Sequence, residues 1–367
     1  MTQVVFLADF VAGGLFMYSF VNDYSEGAHE RIIEALTATN RVQTCGYGLD
    51  EYCNEARAIL AALLQRDSDI HFLVGGTQTN FTVISAVLRP HQGVLSAATG
   101  HINVHESGAV EATGHKVIIL PSEDGKLRAA DVRAAVSAHY ADDSAEHMVQ
   151  PGMVYISHPT ELGTIYSKAE LTELHEACAE CGLPLFLDGA RLGCALEAEG
   201  SDVTLADLAA LTDVFYIGGT KMGALFGEAL VINNPVLGRD FRYILKQHGG
   251  MLAKGRLLGI QFAELFRDGL YFRLARHAVE TAQKLKRGIV ACGCPLAVDT
   301  VTNQIFPIID KEVLAALRED FAIGFWEKYD DKRDVVRLCT SWATEDSMAE
   351  SFVEKLKSAM QIGRAHV

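Results

Sequence analysis

Short apolar runs alternate with longer amphipathic stretches along the first two thirds of the chain. The apolar runs are rich in Val, Ile, Leu and Phe, which is typical of strands buried on both faces of a parallel sheet. They read IHFLV, GVLSA, KVIIL, GMVYIS, LPLFLD, DVFYIG and EALVI. Helical patterns intervene at residues 78–89, 128–139 and 167–181. The alternation predicts an α/β fold with a mostly parallel, seven-stranded sheet that has helices on both faces.

The pattern changes after Pro235, where long helical segments run to about residue 290. Strands are then indicated at NQIFPII, AIGFWE and DVVRLCT, and a final helix begins near Thr344. We therefore predict a large α/β domain over residues 17–245, including an N-terminal segment. Residues 246–361 are predicted to form connecting helices and a small α+β C-terminal domain.

Both ends of the chain differ from this pattern. Residues 1–16 precede the segment MYSFVNDYSEG, and we predict that they are an extension outside the fold. They contain Asp9 and lack a basic region, which argues against a signal peptide. The final IGRAHV, residues 362–367, back-translates to a string resembling a sequencing-library adapter, so we predict an artefactual tail there.

The composition excludes several classes of partner. The 367 residues are 49% hydrophobic and 22% charged, which is typical of a globular protein. The net charge of −15 argues against a nucleic-acid partner, which would require a basic patch. No apolar run reaches the roughly 18 residues of a membrane span. We expect a cytoplasmic protein that binds neither nucleic acid nor membrane.

The eight cysteines raise the question of a metal site. Cys178 and Cys181 form a CxxC pair, and Cys292 and Cys294 form a CxC pair, both of which occur in zinc sites. However, the CxxC lies in the helical pattern LTELHEACAECGLP, and no second CxxC follows at zinc spacing. We predict that these cysteines pack as small hydrophobic residues and that no metal is bound.

Charged residues follow two of the predicted strands. Asp188 ends LPLFLD and Arg191 comes three residues later, at the sheet edge where open α/β folds bind ligands. Asp188 as a helix N-cap is the alternative. Lys221 follows FYIGG among small and apolar residues, where desolvation would lower its pKa as Schiff-base chemistry requires. A lysine that extends from a loop into solvent is the commoner case. Asp188 and Lys221 can face each other across one cleft.

Three further stretches carry candidate binding groups. In VGGTQTN, the free N–H groups near Gly76 and the Thr77 hydroxyl suit a phosphate, although the GK[ST] ending of a P-loop is absent. In TGHINVHESGA, His101 and His105 are four residues apart, so they could bind zinc on a helix, or His101 could stack on a planar cofactor. Arg337 interrupts the apolar strand VVRLCTSW, and a carboxylate is its natural partner.

Together these are the parts that a pyridoxal 5'-phosphate (PLP) enzyme requires. An aspartate keeps the ring nitrogen protonated, a lysine bonds the cofactor, and arginines hold an amino acid's carboxylate. Over residues 18–360 the chain resembles the low-specificity L-threonine aldolases, in the β-eliminating-lyase group of fold-type I PLP-dependent enzymes. The most specific motif is DGAR followed by GGTK, with the lysine 221 − 188 = 33 residues after the aspartate.

The resemblance implies a fold-type I large domain, PLP as cofactor, and cleavage of β-hydroxy-α-amino acids to glycine and an aldehyde. It also implies a homodimer or homotetramer with shared active sites. The implied catalytic residues are Lys221, His101, His158 and Asp188, with His101 or His158 as the base. The implied cofactor contacts are Gly76, Thr77, His101, Asp188, Lys221 and Lys254. The implied substrate contacts are Asn22, Tyr47, Arg191 and Arg337.

Some positions depart from the pattern of that family. Asn22 stands where the family has a serine. The sequence HPTEL, which begins at His158, stands in place of the usual THN loop. Tyr47 in YGLDEY and Lys254 in GGMLAKGR correspond to segments that reach a neighbouring subunit. β-Elimination or transamination on the same scaffold, and a PLP-binding protein without turnover, remain the alternatives.

Overall fold

A computed structural model describes residues 17–365, with side chains described as far as residue 361. The strands are β1 Tyr18–Ser19, β2 Asp69–Leu73, β3 Gln92–Ala97, β4 Lys116–Leu120, β5 Gln150–Ser157, β6 Leu185–Asp188, β7 Val214–Gly218, β8 Glu228–Ile232, β9 Leu296–Val298, β10 Gln304–Asp310, β11 Phe321–Ala322, β12 Gly324–Lys328 and β13 Arg333–Cys339. The helices are α1 Glu30–Thr39, α2 Glu51–Leu64, α3 Gly76–Val87, α4 His101–Val104, α5 Ala109–Ala112, α6 Ala129–Ala141, α7 Lys168–Cys181, α8 Leu192–Leu196, α9 Leu205–Leu211, α10 Pro235–Gly238, α11 Phe241–Gln247, α12 Arg256–Arg267, α13 Leu270–Ala291, α14 Lys311–Leu317 and α15 Asp346–Ala365.

Seven strands form the large sheet, in the order β2-β8-β7-β6-β5-β3-β4. Neighbours pair in parallel from β7 through β6, β5 and β3 to β4. Strand β8 is the exception, because it is antiparallel to both β2 and β7. The prediction of a mostly parallel, seven-stranded sheet is therefore confirmed.

Helices cover both faces of the sheet, because its central strands are apolar on both sides. One hydrophobic core lies between the sheet and helices that include α2, α7, α9, α12 and α13. A second core on the opposite face includes side chains of α3, α5 and α11. Helix α7 begins with a capping box of Ser167 and Glu170 and ends at Gly182, whose φ of 68° permits the left-handed C-cap.

The small domain has its own sheet and core. Its four strands run antiparallel in the order β12-β13-β10-β9, and α14 and α15 pack beside them. Strand β1 pairs in parallel with β11, and Phe20 is buried in this core. Strand β1 and Phe20 of the N-terminal segment therefore contact the small domain, whereas Asp23 of the same segment pairs with Arg191 of the large domain.

Helix α15 continues to Ala365, so its backbone extends into the predicted tail. The predicted extension at residues 1–16 lies outside the described residues. In the described part of the chain, no helix combines the length and apolar character needed to cross a membrane.

The cysteine pair on α7 is part of the packing of the large domain. Cys178 is buried in the core and Cys181 packs against it. Neither forms a disulfide. Among the described residues, no group of three or more His, Cys, Asp or Glu side chains could hold a metal ion.

Candidate active site

A cavity of about 300 Å³ opens at the carboxyl edge of the large sheet. The parallel strands β5 and β6 contribute their last residues to its wall, and the loop after β7 contributes Lys221. The predicted site residues that line it are Gly76, Thr77, His101, Asp188, Arg191 and Lys221. The structure therefore brings six of the predicted residues together around one cavity.

Asp188 is the last residue of β6 and is held from both sides by hydrogen bonds. Its Oδ2 accepts from the Tyr155 hydroxyl at 2.6 Å and from Asn80 Nδ2 at 3.0 Å. Its Oδ1 accepts from the Tyr216 hydroxyl at 2.5 Å and from the Ala190 N–H at 3.0 Å. These contacts fix the plane of the carboxyl group at the cavity wall.

The same contacts decide the charge of Asp188. Burial alone would raise its pKa, but the neighbouring His101 and the two tyrosine hydroxyls hold that pKa below its usual range. Asp188 is therefore a carboxylate at neutral pH. It is not a helix N-cap, because α8 begins at Leu192 and Arg191 occupies the cap position.

His101 is the first residue of the short helix α4, and its imidazole ring is oriented by Glu106. His101 Nδ1 lies 2.7 Å from Glu106 Oε1, which also accepts from Asn80 Nδ2 at 2.7 Å. The imidazole ring of His101 lies on the cavity wall, where a planar cofactor could stack against it. The centroid of the His105 ring lies 5.6 Å from that of His101.

Lys221 extends into the cavity from the loop that follows β7. Its ammonium group forms no hydrogen bond or ion pair with any residue of the described chain. Burial, together with the charge of Arg191, lowers the pKa of Lys221, while the carboxylates of Asp23 and Asp188 oppose that shift. A lysine with a lowered pKa is a better nucleophile at neutral pH.

The N-terminus of α3 borders the cavity at Gly76 and Thr77. No side chain caps this 12-residue helix, so its first N–H groups remain available to an anion. A Cβ atom at Gly76 would lie 3.0 Å from the Tyr216 hydroxyl, which explains why glycine suits this position. The helix terminus therefore provides a suitable site for a phosphate group.

Glu228 lies on the same cavity wall and was missed by the sequence analysis. Its Oε1 accepts from Thr220 Oγ1 at 2.9 Å, and its Oε2 accepts from the Gly219 N–H at 3.1 Å. Burial raises the pKa of Glu228 to about 8. Because β8 is antiparallel, the first residue of EALVI, rather than its last, lies at the carboxyl edge of the sheet. An acidic residue that opens an apolar strand was the available signal.

Arg191 is paired with a buried carboxylate that the sequence analysis also missed. Arg191 Nε donates to Asp23 Oδ2 at 2.6 Å and Nη2 donates to Asp23 Oδ1 at 3.0 Å. Asn303 Nδ2 donates to Asp23 Oδ2 at 2.9 Å. Burial would raise the pKa of Asp23, but Arg191 and Lys221 lower it to about 2. Asp23 thus engages two guanidinium nitrogens and leaves Nη1 for another partner.

Three of the four predicted substrate contacts, Asn22, Tyr47 and Arg337, do not line the cavity. Arg337 Nη2 donates to the Val21 carbonyl at 3.3 Å, and its guanidinium carbon lies 5.5 Å from the centroid of the Trp326 ring. Asn22 Oδ1 accepts from the Tyr24 N–H at 3.0 Å, so it stabilises the local turn. Their predicted roles stay predictions.

His158, one of the two predicted bases, is enclosed by protein. Its side chain is fully buried, its Nδ1 accepts from the Tyr166 N–H at 3.3 Å, and burial lowers its pKa to about 4. It does not line the cavity, whereas Thr160 and Glu161 from the same loop do. Glu161 belongs to the HPTEL sequence that stands in place of the usual THN loop, and the motif alone does not indicate a role for it.

Tyr47 and Lys254 lie apart from the cavity within the single chain. Tyr47 is 45% exposed, and the Lys246 ammonium lies 4.7 Å from the centroid of its ring. Lys254 lines a different pocket, beside Cys45. Roles in a neighbouring subunit's site stay predictions for both residues.

The cavity fits PLP in three respects. Asp188 presents a buried carboxylate to a ring nitrogen, and Lys221 presents an amino group without a protein partner in the described chain. The uncapped terminus of α3 suits the phosphate. The fold and the cavity together are those of the fold-type I class of enzymes.

Comparisons with known proteins identify the family within this class. The model of the beta-eliminating lyase family matches residues 22–312. The chain is 30% identical over 345 residues to the low specificity L-threonine aldolase of Pseudomonas sp. (strain NCIMB 10558). This alignment covers 93% of this chain and 97% of that protein. The chain belongs to the beta-eliminating lyase family.

Solved structures agree with this assignment. The structure of Leishmania major threonine aldolase matches this chain with 49% sequence identity and a TM-score of 0.90. The match covers 93% of this chain and 99% of the Leishmania chain. An aspartate aminotransferase of Thermus thermophilus is 16% identical, with a TM-score of 0.69 over 94% of this chain and 92% of its own. This second likeness shows the fold alone.

Proposed function

We propose that the protein is a PLP-dependent carbon–carbon lyase that cleaves L-threonine, L-allo-threonine and similar β-hydroxy-α-amino acids to glycine and an aldehyde. The observation that carries the proposal is that Lys221 and Asp188 line one cavity with Arg191 on its wall. The 49% identity to Leishmania major threonine aldolase supports the choice of reaction.

Each part of PLP has a matching group in the cavity. Lys221 would bond the cofactor, Asp188 would face its ring nitrogen, His101 would stack on the ring, and Gly76 and Thr77 would hold the phosphate. When bound, PLP supplies an electron sink for the pair left on Cα. Asp188, a carboxylate at neutral pH, would keep the ring nitrogen protonated and so maintain that sink.

The substrate would be oriented through its carboxylate. Arg191 lines the cavity, and its Nη1 is not engaged by Asp23. A fixed carboxylate determines which bond of Cα stands perpendicular to the cofactor ring, and that bond is the one that breaks. Arg337 donates to the Val21 carbonyl through Nη2, so a contribution from Arg337 would come from its other guanidinium nitrogens.

Product analysis tests the reaction. Purified protein with PLP is incubated with L-threonine and with L-allo-threonine, and we expect glycine and acetaldehyde from at least one of them. Ammonia with a 2-oxo acid as the main products would indicate β-elimination instead. A requirement for an added oxo acid would indicate transamination.

We further propose that the enzyme acts in the cytoplasm as a homodimer or homotetramer. The exposed Tyr47 and the distant Lys254 support this proposal, because neither reaches the cavity of its own chain. An amino acid is the expected small-molecule partner. The net charge of −15 disfavours nucleic acid.

A further inference from the structure

Glu161, on the loop between β5 and α7, places its carboxyl group on the wall of the cavity that Asp188 and Lys221 line. Its Oε1 accepts from Ser157 Oγ at 2.6 Å and from the His101 backbone N–H at 2.9 Å. These two donors fix one oxygen. The other, Oε2, accepts no hydrogen bond from another residue in the described part of the chain.

The other acidic groups on the wall are already engaged. Asp188 accepts hydrogen bonds on both oxygens, as does Glu228. His158 is enclosed by protein, and the Nδ1 of His101 is paired with Glu106. Among the carboxyl groups of the described cavity wall, Glu161 therefore has the oxygen that is free to accept a proton from a ligand.

We propose that Glu161 binds the β-hydroxyl group of the substrate through Oε2 and accepts its proton during cleavage. This inference rests on the proposed function and names a catalytic residue for it. Burial raises the pKa of Glu161 even though Ser157 opposes the shift, which makes the carboxylate a stronger base.

The step balances without a further reactant. The β-hydroxyl proton passes to Glu161, and the electron pair of the O–H bond forms the C=O bond of the aldehyde. The Cα–Cβ bond breaks, and its electron pair stays on Cα, where the electron sink stabilises it. A proton from solvent then reaches Cα to give glycine, and Glu161 releases its proton to solvent.

The test compares Glu161→Gln, Glu161→Asp and wild type as PLP-loaded enzymes. A glutamine retains an oxygen for Ser157 and His101 but cannot accept a proton, whereas an aspartate retains a shorter carboxylate. Two quantities are measured: kcat for L-threonine cleavage, and the Kd of glycine from the visible absorbance of the enzyme. Glycine has no β-hydroxyl group, so its Kd reports the integrity of the site. Glu173→Gln, on the exposed face of α7, is the matched control.

We expect Glu161→Gln to lower kcat at least about 100-fold with the glycine Kd within about twofold of wild type. The kcat of Glu161→Asp should lie between those of wild type and Glu161→Gln. If the glutamine variant does not fold, the aspartate variant is compared with wild type instead. A kcat of Glu161→Gln near that of wild type would overturn the proposal. A fall in kcat together with a similar rise in the glycine Kd would also overturn it, because it would mean that Glu161 has a structural role. A wild type that forms no glycine would contradict the proposed function instead.

Discussion

At the scale of single residues, Asp188 illustrates how burial and hydrogen bonding compete. Desolvation favours the neutral acid, yet donors on both oxygens and the adjacent His101 favour the carboxylate. Tyr155 and Tyr216 are themselves buried beside this charge, which raises the pKa of each hydroxyl and keeps it a donor. The charge that the proposed cofactor would require is therefore fixed by the residues of this chain.

Replacing Asp188 by Asn should separate binding from turnover. Because Lys221 and the terminus of α3 are unchanged, we expect the variant to bind PLP. Without the negative charge the ring nitrogen need not stay protonated, so kcat for L-threonine should fall about 100-fold or more. Glycine release is the measurement, and Asp143→Asn on an exposed turn is the control. Turnover at the wild-type rate would show that the Asp188 charge has no catalytic role.

At the scale of elements, Asp23 connects three parts of the fold. It lies in the N-terminal segment, Arg191 caps α8 of the large domain, and Asn303 directly precedes β10 of the small domain. The ion pair is buried, with no exposure of the Asp23 side chain. Removing one member of such a pair leaves the other charge without compensation, which costs about 3–5 kcal/mol.

The stability conferred by Asp23 should depend on pH. Its pKa of about 2 in the folded state lies below the ordinary value of 3.8, so the stabilisation is full above the ordinary value and is lost as pH falls towards 2. The shift corresponds to about 2 kcal/mol at neutral pH, about half of which is lost by pH 3.

Urea unfolding of wild type and Asp23→Asn at pH 7 and pH 3 measures this effect. The difference in free energy of unfolding should shrink by about 1 kcal/mol at the lower pH. The exposed Asp67→Asn variant should show no such change. A difference that is independent of pH would mean that Asp23 acts through packing rather than charge.

The elements differ in how far their sequences determine them. The strand predicted at KVIIL agrees with β4, and the other six predicted strands of the large sheet overlap the observed ones, because buried strands carry a continuous apolar signal. The two-residue strands β1 and β11 carry no period that could be recognised. Asp23 was missed because its partner Arg191 lies 168 positions away, and Glu228 was missed because only the tertiary structure reveals that β8 is antiparallel.

At the scale of the whole molecule, the cavity lacks the two residues that the family resemblance assigns to a neighbouring subunit. Tyr47 and Lys254 both lie outside it within one chain. If neighbouring subunits exchange these residues, each active site combines two chains, and a symmetric dimer contains two such composite sites.

Subunit mixing tests this arrangement. Lys221→Ala and Tyr47→Ala should each be nearly inactive alone. Co-expression should restore activity to about a quarter of wild type, because half of the dimers are mixed and each mixed dimer has one intact site. The control is the sum of the activities of the two variants when each is produced and assayed separately. No recovery on mixing, or full activity of Tyr47→Ala alone, would place Tyr47 outside the neighbouring site.

The bridge through Asp23 also constrains when the active site can form during synthesis. Asp23 is separated from Arg191 by 168 positions and from Asn303 by 280. A ribosome releases Asp23 long before either partner, and β1 must wait still longer for β11. The segment next to Asp23 therefore stays without its final contacts while most of the chain is translated, and these long loops must close late. A nascent chain can complete its large sheet early, yet catalysis begins only when the small domain has emerged.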